Sequence, residues 1–182
     1  MYNKSTKNWE PAALKRISIL FASRQVFVEA EPVLYGCNIF QFKTTTGLTE
    51  FIDRIGSRAQ HIRHVKFTCD AYKKSTARAA FRDLAVAKGL RTLSFPHDDV
   101  CPADHRSISP WLIAQDCKVL MRALHQHRKE NDISGRVSDV LKFEVIRWSH
   151  SCVLLKDRGQ EQNEKLQAEV RGMISEYLGL RD

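Results

Sequence analysis

The sequence predicts an α/β fold: an irregular stack of about four strands with flanking helices, helical at both ends. Three observations carry this. Short words of alternating or aromatic-ended apolar residues recur, NIFQFK, HIRHVKFT and LRTLSF, with apolar starts at Ile39, Ile62 and Leu90. Between them lie stretches whose apolar residues fall three and four apart, the spacing of one helix face. Two of the words, HIRHVKF and GLRTLSF, also share an apolar residue followed by Arg and an apolar, polar, aromatic ending.

The strand starts recur after 23 and 28 residues. That period lies near the ~20 to 29 residues of a leucine-rich repeat, in which each unit supplies one parallel strand and one covering helix. The array is therefore read as leucine-rich-repeat-like. No unit carries the asparagine ladder of a regular repeat of that kind, so the spacing argues for stacked strand and helix units only.

Each element follows from its residues. Residues 1–8 are polar and predict a flexible tail, leaving 9–182 as a single α/β domain. Pro11 suits a first helical turn, and Leu14, Ile17, Leu20, Phe21, Arg24 and Phe27 form a stripe behind it. Pro32 predicts a break near Ala30, then a short turn through Leu34 and Tyr35 that Gly36 ends. In NIFQFK, Ile39 and Gln41 alternate with Phe40 and Phe42, as on a pleated strand. Leu48, Phe51, Ile52 and Ile55 predict a helix closed by Gly56. His61–Thr68 reads as the second strand. Lys74–Lys88 reads as a helix capped by Ser75, with Ala77, Ala80, Phe81, Leu84 and Ala85 inward and Gly89 at its end. Leu90–Phe95 is the third strand, stopped by Pro96.

Residues 96–108 predict a connecting loop, and Ser109 with Pro110 a helix start. Ile113, Cys117, Leu120, Met121 and Leu124 share that helix's inner face. LKFEVIRW predicts a fourth strand with Leu141, Phe143 and Val145 on one side, continued by Ser151–Leu155. Leu166, Val170, Met173, Ile174, Tyr177 and Leu178 predict an amphipathic helix over 160–180 that caps the stack.

Composition narrows the function classes. The 182 residues include 29 Lys and Arg against 21 Asp and Glu, a net +8 that attracts polyanions. The surplus lies outside the tail: residues 1–155 carry 24 basic against 15 acidic side chains. Five dispersed cysteines without a C-x-x-C pair fit reduced thiols, and no run approaches the ~18 apolar residues of a membrane span. These features predict a cytoplasmic or nuclear protein with no membrane partner.

The words RQVFVEAEPVLYGCNIFQF and FIDRIGSRAQHIRHVKF resemble a group of fungal proteins with an F-box-like amino-terminal segment. The matching positions are Arg24, Gln25, Val26, Glu29, Ala30, Pro32, Leu34, Tyr35, Asn38 and Phe40, then Ile55, Gly56, Ile62 and Arg63. The resemblance covers roughly residues 14–95 and implies a small α/β scaffold. In that group an F-box-like stretch with a Leu-Pro-x-Glu-Ile-Arg word precedes this region. The chain starts downstream of it, so the resemblance does not imply docking to a ubiquitin-ligase adaptor. Arg24, Glu29, Pro32, Tyr35 and Asn38 are expected to be structural, through an internal salt bridge, a backbone-bound hydroxyl and the turn into the first strand.

No catalytic constellation is legible. G-x-S-x-G, P-loop and G-x-G-x-x-G words are absent. His61 with His64 and His125 with His127 have spacings that do not converge on a metal, and Cys101, Asp104 and His105 offer an incomplete ligand set. No cofactor or metal is expected. The leading expectation is a non-enzymatic protein-interaction module. The alternative is nonspecific electrostatic nucleic-acid binding through a basic strand and helix, Arg58, His61, Arg63, His64, Lys66, Lys73, Lys74, Arg78 and Arg82. A metal-dependent hydrolase is the remote third.

Overall fold

The computed structural model describes residues 2–3, 8–9, 23–68, 72–96, 110–144 and 156–179. A two-residue antiparallel ladder, β1 (Tyr2–Asn3) with β2 (Asn8–Trp9), stands where the sequence predicts a flexible tail. The main unit is then α1 (Arg24–Cys37), β3 (Ile39–Phe42), α2 (Thr45–Ile55), β4 (His64–Phe67), α3 (Lys74–Leu84) and β5 (Thr92–Pro96). It continues with α4 (Pro110–Asp116), α5 (Lys118–Glu130), β6 (Leu141–Glu144) and α6 (Lys156–Leu178). Short 3-10 turns, Gly56–His61 and Val137–Val140, lead into β4 and β6.

The four strands β3–β6 form one parallel sheet in chain order. Each strand pairs with the next in sequence, and each connection carries helix. The register aligns Phe40 with Val65, Leu93 and Leu141, and Phe42 with Phe67. Phe95 aligns with Phe143 in turn. Four phenylalanines thus stand in one row: centroids are 6.4 Å apart from Phe42 to Phe67, 5.4 Å from Phe67 to Phe95 and 6.0 Å from Phe95 to Phe143. Such offset contacts contribute about 0.5–1.5 kcal/mol each beyond the buried area.

The helices cover this aromatic side. Phe51 of α2 meets Phe40 and Phe42, and Phe81 of α3 sets its edge against Phe67 and Phe95. Ala77, Ala80 and Leu84 let α3 approach closely, and Leu120, Met121 and Leu124 of α5 extend the same core. A contact between the Thr45 and Thr76 hydroxyls, 2.5 Å, joins α2 to α3 where Thr45 is fully buried. At the far end, Leu166, Val170 and Ile174 of α6 enter the core. Gln167 donates to the Leu141 carbonyl, Arg171 pairs with Asp139 at 2.9 Å, and Lys118 lies 5.0 Å over the Tyr177 ring.

Several boundaries differ from the sequence reading. The first described helix begins afresh after Ser23, whose hydroxyl accepts from the Gln25 and Val26 amides. The predicted stripe at Leu14–Phe21 lies outside the described residues. Pro32 does not break α1. The carbonyl it leaves unpaired belongs to Val28, which is exposed along with Pro32, so water can replace the missing donor. Gly36 does not end the helix either; Asn38 does, extended at φ −94° with its side chain donating to the Leu34 carbonyl at 2.6 Å.

His61 belongs to the 3-10 turn and not to β4. Ser75 lies inside α3, whose cap position is Lys73 with no side-chain cap bond. The helix predicted from Pro110 onward is two helices, because Cys117 interrupts it while staying buried. The 96–108 loop beyond Pro96, and the predicted continuation at Val145 and Ser151–Leu155, lie outside the described residues. Gly56 closes α2 as predicted, at φ +58°.

Candidate surface on the sheet

The pleat sorts the strand residues into two faces. Phe40, Phe42, Val65, Phe67, Leu93, Phe95, Leu141 and Phe143 point to the helices, so their alternates point away. Those outward residues form rows across the strands. The first row is Ile39, His64 and Thr92; the second is Gln41, Lys66, Ser94 and Lys142; Lys43 and Thr68 follow, and Pro96 stands opposite Glu144 at the next alternate position of the register. Among the described residues no helix packs on this side.

Exposure along this outward face is graded. Ile39 is 66% exposed, and Gln41 and Lys43 are exposed with it. His64, Lys66, Thr92 and Lys142 are half-buried, and Ser94 is only 6% exposed. The His64 Nδ1 and Thr92 Oγ1 are 2.6 Å apart, which fixes the imidazole across two strands. Next to the open end, α1 has no buried residue, and its Val33 is 61% exposed. Aliphatic side chains are therefore exposed at the first strand and on the helix that precedes it.

The nine basic residues singled out in the sequence do not share one surface. His64 and Lys66 lie on the side of the sheet away from the described helices. Lys73, Lys74, Arg78 and Arg82 belong to α3 and its cap, on the opposite, helical side, where all four are exposed. Alternation in β4 and the inward stripe of α3 send the two groups apart. Arg58 instead holds α1: its Nε lies 2.5 Å from Glu31 Oε1, and its guanidinium is 5.1 Å from the Phe27 ring centre.

Arg63 is folded back on its own turn, donating to the Gln60 carbonyl at 2.9 Å and the Ile62 carbonyl at 3.3 Å. Burial and then Arg91 lower its pKa. Its guanidinium fills the space beside Gly89, where an added Cβ would come within 2.4 Å of it. Gly89 therefore serves close packing and not a helix cap. His61 makes only a long 3.4 Å contact with Gln60.

The expected structural group is likewise revised. Glu29 accepts from Gln25 at 3.0 Å and is not salt-bridged to Arg24, which is exposed. Tyr35 stacks on Phe40 at 5.9 Å, so its ring is what anchors it. Asn38 is structural as a helix cap.

Composition and spacing gave no sign of a second polar cluster. Asp116, 4% exposed, accepts a hydrogen bond from the Tyr72 hydroxyl on Oδ2 and one from Arg78 Nε on Oδ1 at 3.2 Å. With Lys74 and Ser75 it lines a shallow open depression. Both carboxylate oxygens are engaged, and the adjacent Cys117 thiol is buried with its pKa pushed well up, so the group joins α3 to α4 and presents no nucleophile. Cys101, Asp104 and His105 lie outside the described residues, and no group of three or more His, Cys, Asp or Glu side chains among the described residues could hold a metal ion.

The cluster does predict alkaline sensitivity. Burial first, then the bond to Asp116, raise the Tyr72 phenol, and burial raises Cys117. The folded chain keeps protons that the unfolded chain releases near pH ~8.5 for a thiol and ~10 for a phenol. This stability is complete below those values and is lost as pH rises through them. Denaturant titrations between about pH 8 and 10.5 should show a falling midpoint, with the upper part of the fall absent in Tyr72→Phe.

No known family model matches the chain, and neither does any curated protein or solved structure. No helix among the described residues is long and apolar enough to cross a membrane.

Proposed function

We propose that the chain is a non-enzymatic protein-interaction module whose partner docks along the exposed edge strand β3. The observation that carries this is Ile39, 66% exposed on an edge strand whose alternate residues, Phe40 and Phe42, pack toward the helices. Outward on this edge strand stand Ile39, Gln41 and Lys43, an aliphatic side chain next to polar ones. Stacked strand and helix units commonly bind through their strand side.

The nucleic-acid alternative draws less support, because its basic residues divide between two sides of the sheet and several of them, Arg58, Arg63, His64 and Arg78 among them, are engaged within the chain. The outward rows also lack an aromatic platform: every strand phenylalanine faces the helices. Photocrosslinking from position 39, with exposed helical-side positions 86 and 119 as controls, tests the docking surface directly.

A further inference from the structure

The open edge of β3 is complementary to itself, and we propose that the partner along it is a second copy of this chain, added antiparallel so that two sheets join into one. The inference rests on the reading of β3 as the docking edge and names its occupant. The Thr68 amide donates to the Phe42 carbonyl at 3.0 Å, so the backbone groups of Phe42, and by alternation those of Phe40, face β4. Those of Ile39, Gln41 and Lys43 face the other way; all three residues are exposed, and no described strand pairs along that side. The opposite edge of the sheet differs, because Gln167 of α6 donates to the Leu141 carbonyl of β6. One edge is covered, and the other is a template for a further strand.

The strand's own residues select a second copy. Phe40, Gln41 and Phe42 read the same in both directions, so a two-fold axis through Gln41, perpendicular to the sheet, sets Gln41 against Gln41 and each Phe40 against the other copy's Phe42. Ile39 then stands opposite the other copy's Lys43. Position 41 and the two 39–43 positions become hydrogen-bonded pairs, about six backbone bonds in all. The two Phe40–Phe42 positions become non-hydrogen-bonded pairs, ~4.5 Å between Cα atoms, where side chains meet most closely. Both rings are half-buried within one copy and rest on Phe51, so the pairing carries the aromatic row across the axis. Like charges are not opposed: each Lys43 lies beside an aliphatic side chain, and the two lysines are offset by roughly 14 Å along the strands. Strands this short bury little area, so the dimer is weak, with a dissociation constant on the order of 100 µM.

Sedimentation equilibrium of the full chain from about 10 to about 500 µM tests this, and a concentration-dependent monomer–dimer equilibrium is expected. The dimer should tighten as salt rises from about 50 to about 300 mM, because two chains of net +8 repel each other. Gln41→Pro removes an N–H that faces only the edge, which a folded sheet tolerates, and should abolish the dimer with the circular dichroism spectrum unchanged. Ile39→Lys faces the other copy's Lys43 and should weaken association about tenfold. Adding Lys43→Glu should restore it to within about twofold, whereas Val86→Lys on the exposed helical side should leave it unchanged. A chain monomeric at about 500 µM, a folded Gln41→Pro variant that still dimerises, or an Ile39→Lys loss that Lys43→Glu does not relieve overturns the proposal. Should Gln41→Pro fail to fold, the variants at positions 39 and 43 decide alone. If the chain stays monomeric but position 39 crosslinks a foreign protein, the second copy is the wrong occupant and the docking edge stands; if neither occurs, both fall.

Discussion

Phe67→Ala is expected to lower the unfolding free energy by about 3–5 kcal/mol, the usual cost of removing a large buried ring. Phe67 is 1% exposed and is the crossing point of the core. It meets Phe42 and Phe95 along the aromatic row and Phe81 of α3 from above. Truncation leaves a cavity that three rings line, and the rings cannot collapse into it without giving up their own contacts across the sheet. Urea denaturation followed by circular dichroism checks this. A loss below about 1 kcal/mol would mean that the row is not the element that ties the strands together.

Asp116→Ala is expected to cost about 1–3 kcal/mol, because it strands the half-buried Tyr72 hydroxyl without an acceptor. The ion pair with Arg78 adds little, since that side chain is 65% exposed and water screens it. The two contributions separate experimentally. Asp116→Asn keeps an acceptor for Tyr72 while removing the charge, so it should recover most of the loss. If Asn proved as damaging as Ala, charge and not hydrogen bonding would be what the site supplies.

The strand array was readable in the sequence because alternation and terminal phenylalanines are local signals. Phe42, Phe67 and Phe95 each close their strand word, and Phe143 follows in LKFE; the register turns that repeated ending into a row. Helix stripes were equally local, as Ala77, Ala80, Phe81 and Leu84 show. What the sequence could not convey was which side of the sheet a charged residue faces relative to a neighbouring helix. Lys66 and Arg78 lie twelve positions apart in a basic stretch, yet the pleat and the helix stripe send them to opposite sides.

Pro32 misled for a related reason. Its cost in a helix depends on whether the carbonyl it orphans is wet, and exposure of α1 is a tertiary fact. Asp116 gave no signal because its partners, Tyr72 and Arg78, come from 44 and 38 positions away. Ile39 was legible as a strand residue, and its alternation with Phe40 placed it opposite the aromatic side. Its exposure depends on its place on an edge strand of the sheet, which no local pattern records.

The docking surface is tested most directly by placing a photoreactive side chain at position 39 and, separately, at positions 86 and 119, then irradiating each variant in extract of its native host. Val86 and Val119 are exposed on the helical side, so they control for nonspecific capture. A discrete protein adduct from position 39, with none from the other two, is the predicted result. Equal adducts from all three positions, or a discrete adduct from position 119 and none from position 39, would contradict it.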